Sequence, residues 1–143
     1  MKKFGVVFIL MFCHISCSNN EVDRVVAPNY YGKWKLTKMT GVFIPSFYIN
    51  GNPQWQEFYD FKKDSTFIKI RIEETTKTYA SGKFEIIKNQ NKTHIKLTYK
   101  EDNDIIGSCF GDLSEDLYVN SEGLLTSTWR MFDGPGLFYK KMR

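Results

Sequence analysis

The spacing of apolar positions divides the chain into two unlike parts. Phe4 to Phe12 is an unbroken apolar run behind Met1-Lys2-Lys3, whereas from Tyr30 onward apolar and polar residues alternate with period two. Such alternation marks half-buried strands. Lys33 to Lys38 sends Trp34 and Leu36 to one side and lysines to the other. Gln54 to Lys62 carries Trp55, Phe58, Tyr59 and Phe61. Thr66 to Glu73 sets Ile68, Ile70 and Ile72 opposite Phe67, Lys69 and Arg71. Lys77 to Lys88 reads as one long strand interrupted at Ser81-Gly82, where a glycine predicts a bulge that curls the sheet. Thr93 to Lys100 aligns Ile95, Leu97 and Tyr99, and Asp116 to Asn120, Leu124 to Met131 and Leu137 to Met142 complete eight segments. Tight turns join nearly all of them, apart from a longer acidic connection from Glu101 to Glu115 and the stretch from Thr40 to Pro53. This even spacing predicts an all-β, eight-stranded, antiparallel up-and-down barrel, because closure removes both sheet edges.

Composition narrows the class further. The chain has 143 residues, enough for one core. It is 16% aromatic and holds only two alanines, Ala27 and Ala80, which excludes an all-helical bundle. A hydrophobic content of 42% excludes a disordered chain, and three cysteines are too few for a disulfide scaffold.

The first apolar run is too short for a membrane-spanning helix, which needs roughly 20 residues. With its two lysines it reads as a secretory signal peptide. His14-Ile15-Ser16-Cys17 follows, and the composition then turns polar at Ser18-Asn19-Asn20-Glu21. This arrangement resembles a bacterial lipoprotein signal, in which a small residue precedes a cysteine that is acylated and becomes the mature N-terminus. Ser16 and Cys17 fill those positions, while the rival Cys13 follows the bulky Phe12. An ordinary cleaved secretory signal is the alternative. The expected organisation is a signal peptide over 1–16, a lipidated tether over 17–29 and a barrel domain over 30–143. Acyl chains such as palmitate would hold the domain at a membrane, at about 0.8 kcal/mol per buried CH₂. Ser18 carries no acid, so the signal resembles that of Gram-negative outer-membrane cargo, with the membrane face left open. Loss of Lys2 and Lys3 with the leader takes the formal charge from +4 to +2. So small a charge, scattered along strands of an exported chain, does not fit nucleic-acid binding.

Gly32-Lys33-Trp34 opens the first strand, and Tyr59-Asp60-Phe61 with Thr66-Phe67 brackets the turn that follows the second. With eight strands in hairpin order and the closing Leu137-Phe138-Tyr139-Lys140-Lys141, residues 30 to 143 resemble the short bacterial lipocalin-like lipoproteins. The resemblance implies that Gly32 and Trp34 form a barrel-closing motif. It also implies that Lys140, Lys141 or Arg143 packs over the Trp34 ring. The barrel would be a cup that side chains fill or that holds one small ligand. The segment from Thr40 to Pro53 is unusually apolar for a loop, and Phe43, Phe47 and Tyr48 are a candidate lid or a cap that completes the core.

A candidate pocket for a small hydrophobic ligand follows from Trp55, Tyr59, Phe67 and Trp129, with Arg71 and Arg130 able to hold a carboxylate or phosphate. Against this, aromatics at period two ordinarily fill a core, and strand arginines ordinarily face water. No catalytic residues are expected. His94 and Cys109 lack any sign of an activated thiolate, and Glu57 and Asp60 point to opposite faces of a strand. No cofactor or metal is expected, since the acidic residues around Asp102, Asp104, Asp112, Glu115 and Asp116 lack the spacing of a calcium loop. Asn91-Lys92-Thr93 reads as a hairpin turn, and Asp64-Ser65-Thr66 resembles a short O-glycosylation motif at Ser65. Two readings stay open: a lipid-anchored carrier of a small hydrophobic ligand, and a non-enzymatic protein-interaction module with a filled barrel.

Overall fold

The structure is a computed structural model that describes residues 29–41, 48–49, 52–53, 55–89, 92–108, 110–132 and 134–143. Cys17, the tether, Phe43, Phe47 and Cys109 lie outside the described residues. The strands are β1 (Gly32–Thr40), β2 (Tyr48–Ile49), β3 (Asn52–Pro53), β4 (Gln56–Phe61), β5 (Thr66–Glu73), β6 (Thr76–Asn89), β7 (Lys92–Tyr99), β8 (Ser114–Val119), β9 (Leu125–Ser127) and β10 (Gly136–Lys141). β2 and β3 pair only with each other; the other eight close an antiparallel barrel in which β1 lies between β4 and β10. Each barrel strand neighbours the next in sequence, so the predicted up-and-down barrel is the fold.

Register decides what the barrel holds. Across β4 and β5, Phe61 faces Phe67, Tyr59 faces Lys69 and Glu57 faces Arg71. Strand alternation then sends all six side chains inward. Phe67 and Lys69 are fully buried, while Ile68, Ile70 and Ile72 lie half-buried on the outer wall. In β1 the register shifts between Leu36 and Lys38, and this bulge moves the inward set from Trp34 and Leu36 to Met39.

The end where β1 starts is sealed by aromatic rings. Trp34 Nε1 donates to the Tyr30 carbonyl at 2.8 Å. Lys141 Nζ lies 5.7 Å from the Trp34 ring centre and donates to the Asn29 carbonyl at 2.6 Å. Of the three basic candidates, Lys141 is therefore the one over the ring, where a cation is attracted by the π-face. Above it Phe61 meets Phe84 edge-on at 5.1 Å, and Phe67 meets Tyr99 at 4.9 Å.

Two sequence expectations are corrected. Gly82 is not at a bulge: β6 pairs with β5 through 76–83 and with β7 through 82–89, without a register shift. The glycine is needed because β6 passes from one neighbour to the other at this point. A Cβ on Gly82 would collide with the Thr98 carbonyl oxygen. The strand expected over Leu124 to Met131 stops at Ser127 and gives way to a 3₁₀ turn, η1 (Trp129–Phe132). Thr128 makes the last ladder bond, its N–H donating to the Asp116 carbonyl at 3.0 Å while its hydroxyl donates to the same oxygen at 3.2 Å. Ser127 Oγ then accepts from Trp129 N–H at 3.1 Å, which turns the chain out of the sheet.

Gly82→Ala tests the close approach. The substitution should lower stability by about 1–3 kcal/mol, as overpacking of a tight interior does. Urea unfolding measures this, and an unchanged midpoint would mean that β6 and β7 can separate freely at Thr98.

Candidate functional site

The middle of the barrel holds ions. Glu57 on β4, Lys69 on β5 and Glu115 on β8 are inward-facing and essentially without solvent exposure. Lys69 Nζ lies 3.0 Å from Glu115 Oε1 and 3.4 Å from Glu57 Oε1, so one ammonium bridges two carboxylates. Arg71 Nε donates to Glu57 Oε2 at 2.6 Å. Two cations and two anions thus balance.

The remaining lone pairs are occupied as well. Glu115 accepts from Tyr59 OH at 3.0 Å, from Tyr99 OH, and from Gly107 N–H at 3.2 Å. Glu57 accepts from Tyr139 OH at 2.6 Å. An ionised carboxylate offers about four acceptor sites, and these two are nearly saturated. A Cβ at Gly107 would run into the Glu115 carboxylate, so any larger residue would displace that group from its partners. Desolvating an ion costs several kcal/mol, and such burial is tolerable only with this degree of pairing.

The electrostatics follow from the geometry. Burial pushes the Glu57 carboxyl upward, but Lys69, Arg71 and the Tyr139 hydroxyl together outweigh it and hold the group below its ordinary range. Tyr59, Tyr99 and Tyr139 are pushed well above the ordinary phenol range, first by burial and then by the nearby carboxylates. They stay neutral and act as donors. A cluster of compensated charges and neutral phenols presents no free base or nucleophile.

The sequence-predicted site residues fall into four groups. Trp55, Tyr59, Phe67 and Arg71 all reach the interior. Tyr59 and Phe67 are completely covered there, and serve as packing and as a hydrogen-bond donor. Arg71 lies over the Trp55 ring, 4.6 Å from its centre, toward the end from which the Thr40 to Pro53 segment leaves β1. Its side chain is 15% exposed, and its Nη2 is buried without a hydrogen-bond partner. Trp129 and Arg130 sit on η1 rather than on a strand; Trp129 packs against the edge of the core and Arg130 is exposed. They are not brought together with the other four. Gly32 and Trp34 take the barrel-closing position, Gly32 with φ at 100°. For Tyr48 the structure gives only its place in β2, pairing with Pro53.

Sequence reasoning missed Glu57, Lys69 and Glu115 as a unit. Glu115 reads as part of an acidic connection, yet it is the second residue of β8. The available signal was parity: Lys69 shares a strand face with Phe67, and Glu57 shares one with Tyr59 and Phe61. Opposite charges at aromatic-parity positions of adjacent strands are what a buried pair looks like in one dimension. Asp112, by contrast, is a surface staple in the β7–β8 connection. Its carboxylate accepts from Ser108 Oγ at 2.6 Å and Ser114 Oγ at 2.8 Å, bonds that hold it below the usual carboxylate range.

Removing the bridge should be costly. Lys69→Met leaves Glu115 buried without its cation and Glu57 with Arg71 alone, and should lose about 3–5 kcal/mol. Adding Glu115→Gln to it should recover part of that loss, and urea unfolding of the two variants checks the order. The pH dependence has a definite sign. Glu57, lower in the folded state, supplies stability above 4.5, the ordinary glutamate value, and that stability is lost as pH falls through its folded pKa. The tyrosines, raised in the folded state, supply stability below 10.0, the ordinary tyrosine value, and that stability is lost as pH rises further. The melting temperature should therefore decline on both sides of a broad neutral plateau, and a maximum at strongly acid pH would contradict the pairing.

No protein family, no curated protein and no solved structure matches this chain.

Proposed function

We propose that the chain is a lipid-anchored, non-enzymatic protein of the bacterial envelope that acts through the outside of a side-chain-filled barrel. One observation carries this reading: Glu57, Lys69, Glu115 and the tyrosines around them occupy the barrel axis and are closed to solvent. A ligand on that axis would have to separate ion pairs in a dry interior, at about 3–5 kcal/mol for each pair broken. The reading accordingly puts recognition on the surface. The end away from the Trp34 seal offers an apolar patch. Phe110 is 79% exposed, Phe132 48% and Met131 63%, and the two phenyl rings meet at 5.3 Å. Exposed aromatic and methionine side chains of this kind are enriched at protein contacts. The anchor rests on Lys2-Lys3, the run Phe4 to Phe12 and Ser16-Cys17, and it would leave the patch facing away from the attached end of the domain. An outer-membrane address follows from Ser18, as does the absence of a role with nucleic acid from the modest charge.

A second reading has its own support. Arg71, with its buried Nη2 lacking a partner beside the Trp55 ring, could take the polar head of a small hydrophobic ligand that enters only the loop end of the barrel.

Protein extracted from its native membrane should show no bound small molecule by native mass spectrometry. Crosslinking should recover one stoichiometric envelope protein, and Phe110→Ser with Phe132→Ser should abolish that product without lowering the melting temperature. A stoichiometric small molecule that is lost in Arg71→Gln would replace this reading with the carrier. Separately, Cys17→Ala should abolish palmitate labelling and release the protein from membranes. Labelling that persists there but disappears in Cys13→Ala would move the anchor.

A further inference from the structure

The outer wall of β7 and β8 carries a cleft that neither the barrel interior nor the apolar patch explains. Its making follows from the break at Thr128. Because the chain turns out of the sheet there, η1 stands beside the wall and Met131 forms one flank. The register sets His94 on β7 directly opposite Tyr118 on β8, both outward. Asp116 lies two residues before Tyr118 on the same face, and the turn after β8 closes the far side with Asn120 and Ser121. The cleft measures about 640 Å³, within the roughly 300–1,000 Å³ of small-molecule sites.

Its chemistry is mixed and nearly uncharged. Asp116 is one carboxylate, and His94 Nε2 stands 3.9 Å from it, beyond hydrogen-bond reach. Both side chains are partly open, at 45% and 29% exposure. Asn120 commits its carbonyl oxygen to the N–H groups of Glu122 and Leu124, each at 3.0 Å, which leaves its NH₂ as a donor. Among the described residues, the Tyr118 and Ser121 hydroxyls are engaged by no hydrogen bond. The wall therefore offers both donors and acceptors beside an aromatic ring and a thioether. A polyanion would find one carboxylate and no basic cluster. A divalent cation would find a single carboxylate where several oxygens are needed. A fully apolar ligand would cover these partly open polar groups without pairing them. A ligand dense in hydroxyls, each able to donate and accept, with apolar C–H faces to lie on Tyr118 and Met131, meets every group.

We infer that this cleft is a binding site for a neutral carbohydrate, a mono- or disaccharide unit of a larger glycan, held against Tyr118 by hydrogen bonds that Asp116 accepts, that the Asn120 NH₂ donates and that His94 and Ser121 share. The site is independent of whether the barrel is filled, so it goes beyond the function proposed above.

Amide NMR of the isotope-labelled full chain in amine-oxide micelles tests it. The probes are maltose, lactose and N,N′-diacetylchitobiose, with sodium dodecanoate as the apolar comparison. At least one sugar should shift residues of the β7–β8 wall and of η1, with Kd near 1 mM, as expected for one shallow subsite. Asp116→Asn and Tyr118→Ala should each weaken that binding roughly tenfold, and Asp116→Asn, an isosteric surface change, guards against misfolding of the tyrosine variant. Shifts confined to other residues, no shift with any of the three sugars, or dodecanoate binding in their place would each overturn the assignment.

Discussion

A single ammonium, that of Lys69, stands between two carboxylates on the barrel axis, and much else in the structure is arranged to make this tolerable. Glu57 and Glu115 come from strands far apart around the barrel. Glu115 is buried against this cation, and Glu57 is shared between it and Arg71. The bridge in turn requires its surroundings: three tyrosines that lend hydroxyls, a backbone N–H at Gly107, and a glycine there because nothing larger fits beside the carboxylate. The β4–β5 register must place Tyr59 and Glu57 against Lys69 and Arg71, since a slip of β5 by one residue would send Lys69 and Arg71 outward. Charge pairing and strand register thus enforce each other.

This core shapes what the molecule can do. A barrel of eight strands has an interior wide enough for side chains or for one small ligand. Here large aromatic rings seal one end and the ionic cluster occupies the middle, so the accessible chemistry lies at the loop end and on the outer wall. The isoleucines of β5, the natural occupants of an interior, are on that wall instead. The 3₁₀ turn after β9 stands out from the barrel wall, and both the Phe110–Phe132 pair and the cleft of β7 and β8 lie beside it.

Most of the architecture was legible in the alternation. Eight segments and their hairpin order follow from local signals, apolar spacing and turn residues, while the place of Trp34 at one end was implied only by the resemblance of its Gly-Lys-Trp start. The bulge expected at Gly82 failed because glycine in a strand has two meanings. It can mark an extra residue or a close approach of two backbones, and only the Thr98 carbonyl distinguishes them. The long strand expected through Trp129 failed because Thr128 and Ser127 satisfy backbone groups from their side chains, which competes with the ladder. With that break, Trp129 and Arg130 left the site that residue type had assigned them.

By itself the sequence determined the class, the number of barrel strands and their order, because these depend on neighbours in the chain. The tertiary structure alone decided which face of β5 is inside and that Glu115 belongs to β8. It also decided that Glu57, Lys69, Arg71 and Glu115 share one dry volume. The reason is physical: a lysine among aromatics is a surface residue until a carboxylate reaches it from another strand. Such a partner lies 46 residues away along the chain for Lys69 and Glu115. Only closure of the barrel brings the two within bonding distance.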